Sequence, residues 1–136
     1  MTMIDIRPVD GLDIAVVNAD DVLLGDADTA NQLFLSIKMQ GGTNLIAINK
    51  EAFPAKFWDP GTGFPGKVLD RLIQNGMKMA VAGDFSAHAN GPFLDFMAEC
   101  NNGFHLFFVA DEDTAAKRLK NAVEDDARLH RKEGRS

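Results

Sequence analysis

The chain has one cysteine, Cys100, in 136 residues, so an intramolecular disulfide and a zinc cluster shared with other thiols are both excluded. No apolar run approaches the length of a membrane span. The opening Met1-Thr2-Met3-Ile4-Asp5 has an acid where a secretory signal needs basic and then apolar residues. A soluble, cytoplasmic protein is expected. Basic side chains are in the minority, 14 against 20 acidic ones for a net charge of −6, which argues against a nucleic-acid surface and against anionic membranes. The three histidines, His88, His105 and His130, are too scattered to form a metal-ligand pattern. Internal repeats, low-complexity tracts and linkers are missing too.

What remains is an ordinary globular composition, 46% hydrophobic and 25% charged, in a length that suits one core. Charge is unevenly spread. Residues 1–127 carry 10 basic and 19 acidic side chains, whereas residues 128–136 carry four basic and one acidic. The expected organisation is a single domain over 1–127 followed by a basic C-terminal tail, solvated rather than bound to nucleic acid.

Alternation of Ile4 and Ile6 with Asp5 and Arg7 predicts a half-buried strand over 3–9, and Pro8 assigns it to a sheet edge. Asp10-Gly11 predicts a tight hairpin turn into Leu12 to Asn18, which is apolar on both faces and reads as a central strand. A strand–helix rhythm follows. Asp26 or Asp28 caps a helix carrying Ala30, Leu33, Phe34 and Ile37, and Gly41-Gly42 stops it. Leu45 to Ile48 is a buried strand. Thr62 precedes a helix with Val68, Leu69, Leu72 and Ile73 that closes at Asn75-Gly76, and Met77 to Ala82 is the next strand. Asn90-Gly91-Pro92 opens a helix with Phe93, Phe96, Met97 and Cys100 on one stripe, Leu106 to Ala110 is the last strand, and Asp111 begins the last helix. The fold class is therefore α/β: a mixed five-stranded sheet in the order ββαβαβαβα, its edge hairpin strand antiparallel and the rest parallel.

Right-handed crossovers that all step the same way would place their helices on one face, leaving a second apolar face to cover. The C-terminal helix, through Ala116, Leu119 and Val123, is the favoured cover. A second subunit is the other, and a homodimer through leftover apolar helix surface is the corresponding expectation.

Ligands of open α/β sheets bind beyond the carboxyl ends of the strands. Asn49, Lys50, Asp84 and Ser86 fall there. Lys50 could neutralise a carboxylate or phosphate, and Asp84 could orient a hydroxyl or pair with Lys50. Against this stands a structural reading, in which Asp84 and Ser86 cap a turn and Lys50 pairs with Asp84. Gly61-Thr62-Gly63-Phe64-Pro65-Gly66 spells G-x-G-x-x-G, but residues 51–60 separate it from the preceding strand, so the tight strand-to-helix turn of a dinucleotide site is missing. No cofactor is expected. Thr62 and Gly63 at a helix N-terminus suit an anion, or simply a Thr cap. Cys100 belongs to an apolar stripe and reads as core. Phe53, Phe57 and Trp58 read as an anchor for the long connection, with a lid over the strand ends as the alternative.

The pieces Ile48-Asn49-Lys50-Glu51-Ala52, Phe57-Trp58-Asp59, Thr62-Gly63-x-x-Gly66, Val81-Ala82-Gly83-Asp84-Phe85-Ser86 and Phe107-Phe108-Val109-Ala110-Asp111 resemble an uncharacterised bacterial family, domain-of-unknown-function family 4180, from about Ile4 to Leu119. The family pattern has a carboxylate after the third glycine block, where this chain has Lys67. The topology also looks like the STAS domains, anti-sigma-factor antagonists and their relatives. That resemblance implies a phosphorylatable hydroxyl at the start of the helix after the third strand, where Thr62 is the nearest equivalent and Asp59 lies just upstream. Two functions follow as expectations. The first is a non-catalytic binding or regulatory module, with a protein partner or small anionic ligand. The alternative is a small enzyme using Lys50, Asp84 and Ser86.

Overall fold

A computed structural model of the chain describes residues 3–88 and 91–133, with side chains up to residue 129. Five strands run in chain order across one sheet: β1 (Met3–Val9), β2 (Leu12–Asn18), β3 (Leu45–Asn49), β4 (Lys78–Ala82) and β5 (Leu106–Val109). The first pair is antiparallel and every later pair is parallel. Helices α1 (Ala27–Gln40), α2 (Phe64–Asn75) and α3 (Gly91–Asn101) make the crossovers, and α4 (Glu112–Glu133) follows β5.

The turn between β1 and β2 holds Asp10 at φ 52° and Gly11 at φ 85°, the doubly positive pair that a two-residue hairpin requires. Of the two candidate caps for α1, Asp26 is the one used: its carboxylate accepts from Thr29 N at 2.7 Å. Helix α2 stops at Gly76, whose left-handed φ of 66° lets its N–H reach the carbonyls of Ile73 and Leu72. Asp111 caps α4 by accepting from Thr114 N at 2.8 Å. Asn90, expected to open α3, lies outside the described residues. So do the side chains of His130, Arg131 and Lys132. The backbone of α4 runs on past residue 127 to Glu133.

Period-2 alternation sorts the strand side chains into two cores. Ala15, Val17, Ile46, Ile48, Met79, Val81, Leu106 and Phe108 face Phe34 of α1, Val68 and Leu72 of α2, and Phe93 and Cys100 of α3. Ile14, Val16, Leu45, Ala47, Ala80 and Phe107 face the other way, onto Ala115, Leu119 and Ala122 of α4. The chain's own last helix is the cover. Its buried stripe sits one position from the expected one, with Ala116 and Val123 packed only partly at its margin.

Lys78 is the exception among these strand residues. It is buried on the α4 side, where Nζ donates to Phe104 O at 3.0 Å and pairs with Asp126 of α4 at 2.8 Å. Arg7 meets Glu112 at 3.3 Å, and Lys120 meets Asp10 at 3.3 Å, so α4 is also tied to the hairpin. Both are exposed pairs, each contributing at most about 1 kcal/mol.

Candidate functional site

The connection from β3 to α2 has neither strand nor helix periodicity, and it folds as three short 3-10 turns, Lys50–Ala52, Ala55–Trp58 and Pro60–Thr62. Aromatic residues hold it down. Phe57 is fully buried, 4.3 Å from Phe53 and within about 6 Å of Phe64, Phe93 and Phe108, each between ring centroids. Trp58 stacks on His88 at 4.4 Å with nearly parallel planes and lies 5.8 Å from Phe85, which joins this connection to the loop after β4. Rings of this size pin a segment that its backbone alone would leave loose. The Ala52 carbonyl accepts from Leu23 and Leu24 N, adding the loop after β2 to the same unit.

Each sequence-predicted site residue lies on this unit or at its border. Asn49, at the end of β3, uses its amide as a two-point clamp: Oδ1 accepts from Ala19 N at 2.8 Å and Nδ2 donates to Ala19 O at 2.7 Å. The amide thereby replaces the ladder bonds lost where β2 ends. Its Nδ2 also reaches Glu51 at 3.4 Å.

Lys50 and Asp84 are brought together, but through the backbone. Lys50 Nζ donates to the Asp84 carbonyl at 2.6 Å. The lysine stem lies across Gly83 so closely that a Cβ there would sit 2.8 Å from Cδ and 2.9 Å from Cγ. The glycine leaves room for the lysine. The Asp84 carboxylate turns to the next loop and accepts from Ser86 N at 3.0 Å. Hydrogen bonding from Ser86, its backbone N–H first and the Lys50 charge last, holds the Asp84 carboxyl below its usual range. Both Asp84 and Ser86 are exposed.

Thr62 is exposed at the end of the third 3-10 turn, yet its hydroxyl is fully engaged. Oγ1 approaches the carbonyls of Lys56 at 2.8 Å and Asp59 at 2.7 Å as donor, and it accepts from Phe64 N at 3.2 Å. Asp59 itself caps Gly61 N at 3.0 Å. Gly63 follows with φ 76° and passes the chain into α2.

Between the carboxyl ends of β2, β3 and β4, beside Glu112, the cleft amounts to about 40 Å³. That is room for a water or two. Larger hollows lie elsewhere, about 410 Å³ between the hairpin turn and the start of β3, and about 360 Å³ between α2 and α3. Cys100 borders the latter, and burial, aided by the Glu99 charge, pushes its thiol up to about 12. It is core, as its stripe suggests. His105 Nδ1 lies 3.1 Å from the Met77 carbonyl. Among the described residues, no three His, Cys, Asp or Glu side chains come together as a metal site. Nor is any helix among them long and apolar enough to cross a membrane.

Sequence reasoning missed the Trp58–His88 stack and the Asn49–Ala19 clamp. Both join segments distant in sequence, and the only hint was a polar residue closing an apolar strand.

No curated protein and no solved structure matches the chain. The family described as domain of unknown function (DUF4180) matches residues 9–119, which begins after most of β1 and so somewhat later than the resemblance in sequence suggests. The match contains every element from β2 to the first part of α4, including Asn49, Lys50, Thr62, Gly63, Asp84 and Ser86, and the chain belongs to that family.

Proposed function

We infer that the chain is a small non-catalytic binding or regulatory module of STAS-like shape, with the exposed Thr62 segment as its switch. The observation that carries this reading is the engagement of the polar side chains at the strand ends. Asn49 holds Ala19, Lys50 holds the Asp84 carbonyl and Asp84 holds Ser86 N, and the cleft at the strand ends that Asn49 borders is only about 40 Å³. A substrate pocket is usually several hundred Å³ with polar groups converging on it.

Support for the switch comes from Thr62 itself. Its Oγ1 lies against the carbonyls of Lys56 and Asp59, so a phosphoryl group there sets negative charge against those oxygens just after Asp59. The segment from Lys56 to Phe64 must then rearrange, while the aromatic anchors beneath it stay buried. A protein partner that reads this surface would sense the change. The sequential strand order and the position of Thr62 before the helix that follows β3 agree with STAS topology.

The test compares Thr62→Glu with Thr62→Val, which removes the hydroxyl without adding charge. Glu is expected to change the set of captured partner proteins and Val to preserve it. Identical capture by the wild type and Thr62→Glu counts against the reading.

The catalytic alternative places Lys50, Asp84 and Ser86 in one reaction. Their neighbourhood on one edge is its only support, and the commitment of Lys50 to a backbone carbonyl weakens it.

A further inference from the structure

We propose that β1 is a self-complementary edge through which two copies of the chain join their sheets. Among the described residues, strand β1 pairs only with β2, and Met3, Ile4 and Ile6 are 65%, 48% and 39% exposed. Edges of this kind are normally blunted by charged residues, prolines or bulges; β1 carries Pro8 on its free edge, and its two charges, Asp5 and Arg7, are of opposite sign.

The two-residue turn makes Val9 and Leu12 a hydrogen-bonded pair. By alternation, Arg7–Ile14 and Asp5–Val16 are hydrogen-bonded as well, so Arg7 and Asp5 spend their backbone groups on β2. Ile4, Ile6 and Pro8 therefore direct theirs to the free edge. Proline sits where its missing N–H costs the β1–β2 ladder nothing.

An antiparallel second copy with its two-fold axis at Ile6 satisfies this edge. Ile6 of each copy exchanges N–H and C=O with Ile6 of the other, and each Ile4 N–H meets the Pro8 carbonyl of the other. On the α4 side, Asp5 of one copy then stands opposite Arg7 of the other, and Arg7 opposite Asp5. Moving the axis one step to Asp5 sets Asp5 against Asp5, and moving it to Arg7 sets Arg7 against Arg7. Like charges directly opposite are unfavourable, so charge selects the register centred on Ile6. On the other side, the half-exposed side chains of Ile4 and Ile6 extend the core that already holds their partners Val17 and Ala15.

Sedimentation of the full chain at micromolar to tens of micromolar concentration tests this, together with hydrogen exchange at the Ile4 and Ile6 amides. Wild type is expected at twice the chain mass, with those two amides protected more as concentration rises. Asp5→Arg opposes Arg to Arg and should raise the dissociation constant at least tenfold, while the charge exchange Asp5→Arg with Arg7→Asp should restore the dimer. Ile6→Pro removes the central donors without touching the β1–β2 ladder, and it should give the chain mass with an intact fold by circular dichroism. A monomeric wild type at tens of micromolar overturns the proposal. A dimer that survives both Asp5→Arg and Ile6→Pro, with no added protection at Ile4 and Ile6, overturns it equally.

Discussion

Lys78 Nζ lies 2.8 Å from Asp126 Oδ2, and the two partners are unequally buried, their side chains 8% and 29% exposed. The pair joins the start of β4 to α4 across the second core. Its asymmetry makes an asymmetric prediction. Asp126→Ala leaves a buried ammonium with the Phe104 carbonyl as its remaining hydrogen-bond partner named above, and should cost about 3 kcal/mol. Lys78→Met keeps the apolar stem and leaves a carboxylate that reaches water, so it should cost about 1 kcal/mol or less. Urea unfolding of both variants checks the order, and equal costs would contradict it.

Three helix and turn caps should contribute to the acid limb of stability. The backbone amides of Thr29, Ser86 and Thr114 are the main reason that Asp26, Asp84 and Asp111 titrate below 3.8. A carboxyl whose folded value is depressed contributes stability that is fully present above its unfolded value and is lost as pH falls through the folded one. Melting temperature should therefore hold steady down to about pH 4 and drop below it. Replacing all three with Asn keeps the cap acceptors but removes their titration, and should flatten that drop. An unchanged acid limb in the triple variant would place the acid sensitivity elsewhere.

Gly83 is required both by its own backbone, at φ 159°, and by the Lys50 stem that crosses it. Gly83→Ala brings a Cβ within 3 Å of the lysine stem, forces Lys50 off the Asp84 carbonyl, and should cost about 1 kcal/mol. In a Lys50→Ala background the same substitution should cost less, because Cγ and Cδ of the stem are gone while the backbone strain and the Cβ contact at 3.3 Å remain. Coupling of at least about 0.5 kcal/mol in a double-mutant cycle is the expected result, and simple additivity would show that the contact carries no energy.

Cys100 should be inert in the folded chain. With its thiol pushed up to about 12 by burial, alkylation at pH 8 should be slow and should accelerate on unfolding. Reaction of the native chain at the rate of an exposed cysteine would contradict the assignment to the core.

Much of this architecture is legible along the chain because its elements are locally consistent. Asp10-Gly11 specifies the hairpin and Asn75-Gly76 the end of α2. The two-faced apolar strands demand cover on both sides, and α4 supplies the second cover through Leu119. The connection after β3 is less legible, since its 3-10 turns are held by Phe53, Phe57 and Trp58 against rings from α2, α3 and β5. That information resides in three dimensions. The same holds for the strand ends. Asn49, Lys50 and Asp84 stand out as polar residues after apolar runs; the local cap of Asp84 on Ser86 N is legible, but only the tertiary pairing shows Asn49 bonded to Ala19 and Lys50 to the Asp84 carbonyl. Lys78 lies second in the expected strand Met77 to Ala82, and its pairing becomes visible only where α4 brings Asp126 over it.

We assign the function, as a proposal, to the Thr62 surface and not to a reaction at Lys50. Quantitative affinity capture with wild type, Thr62→Glu, Thr62→Val and Lys50→Ala, each verified folded by its melting curve, measures this directly. Thr62→Glu alone is expected to change the captured set, with Thr62→Val and Lys50→Ala matching wild type. A captured set that is indifferent to Thr62→Glu but altered by Lys50→Ala would contradict it.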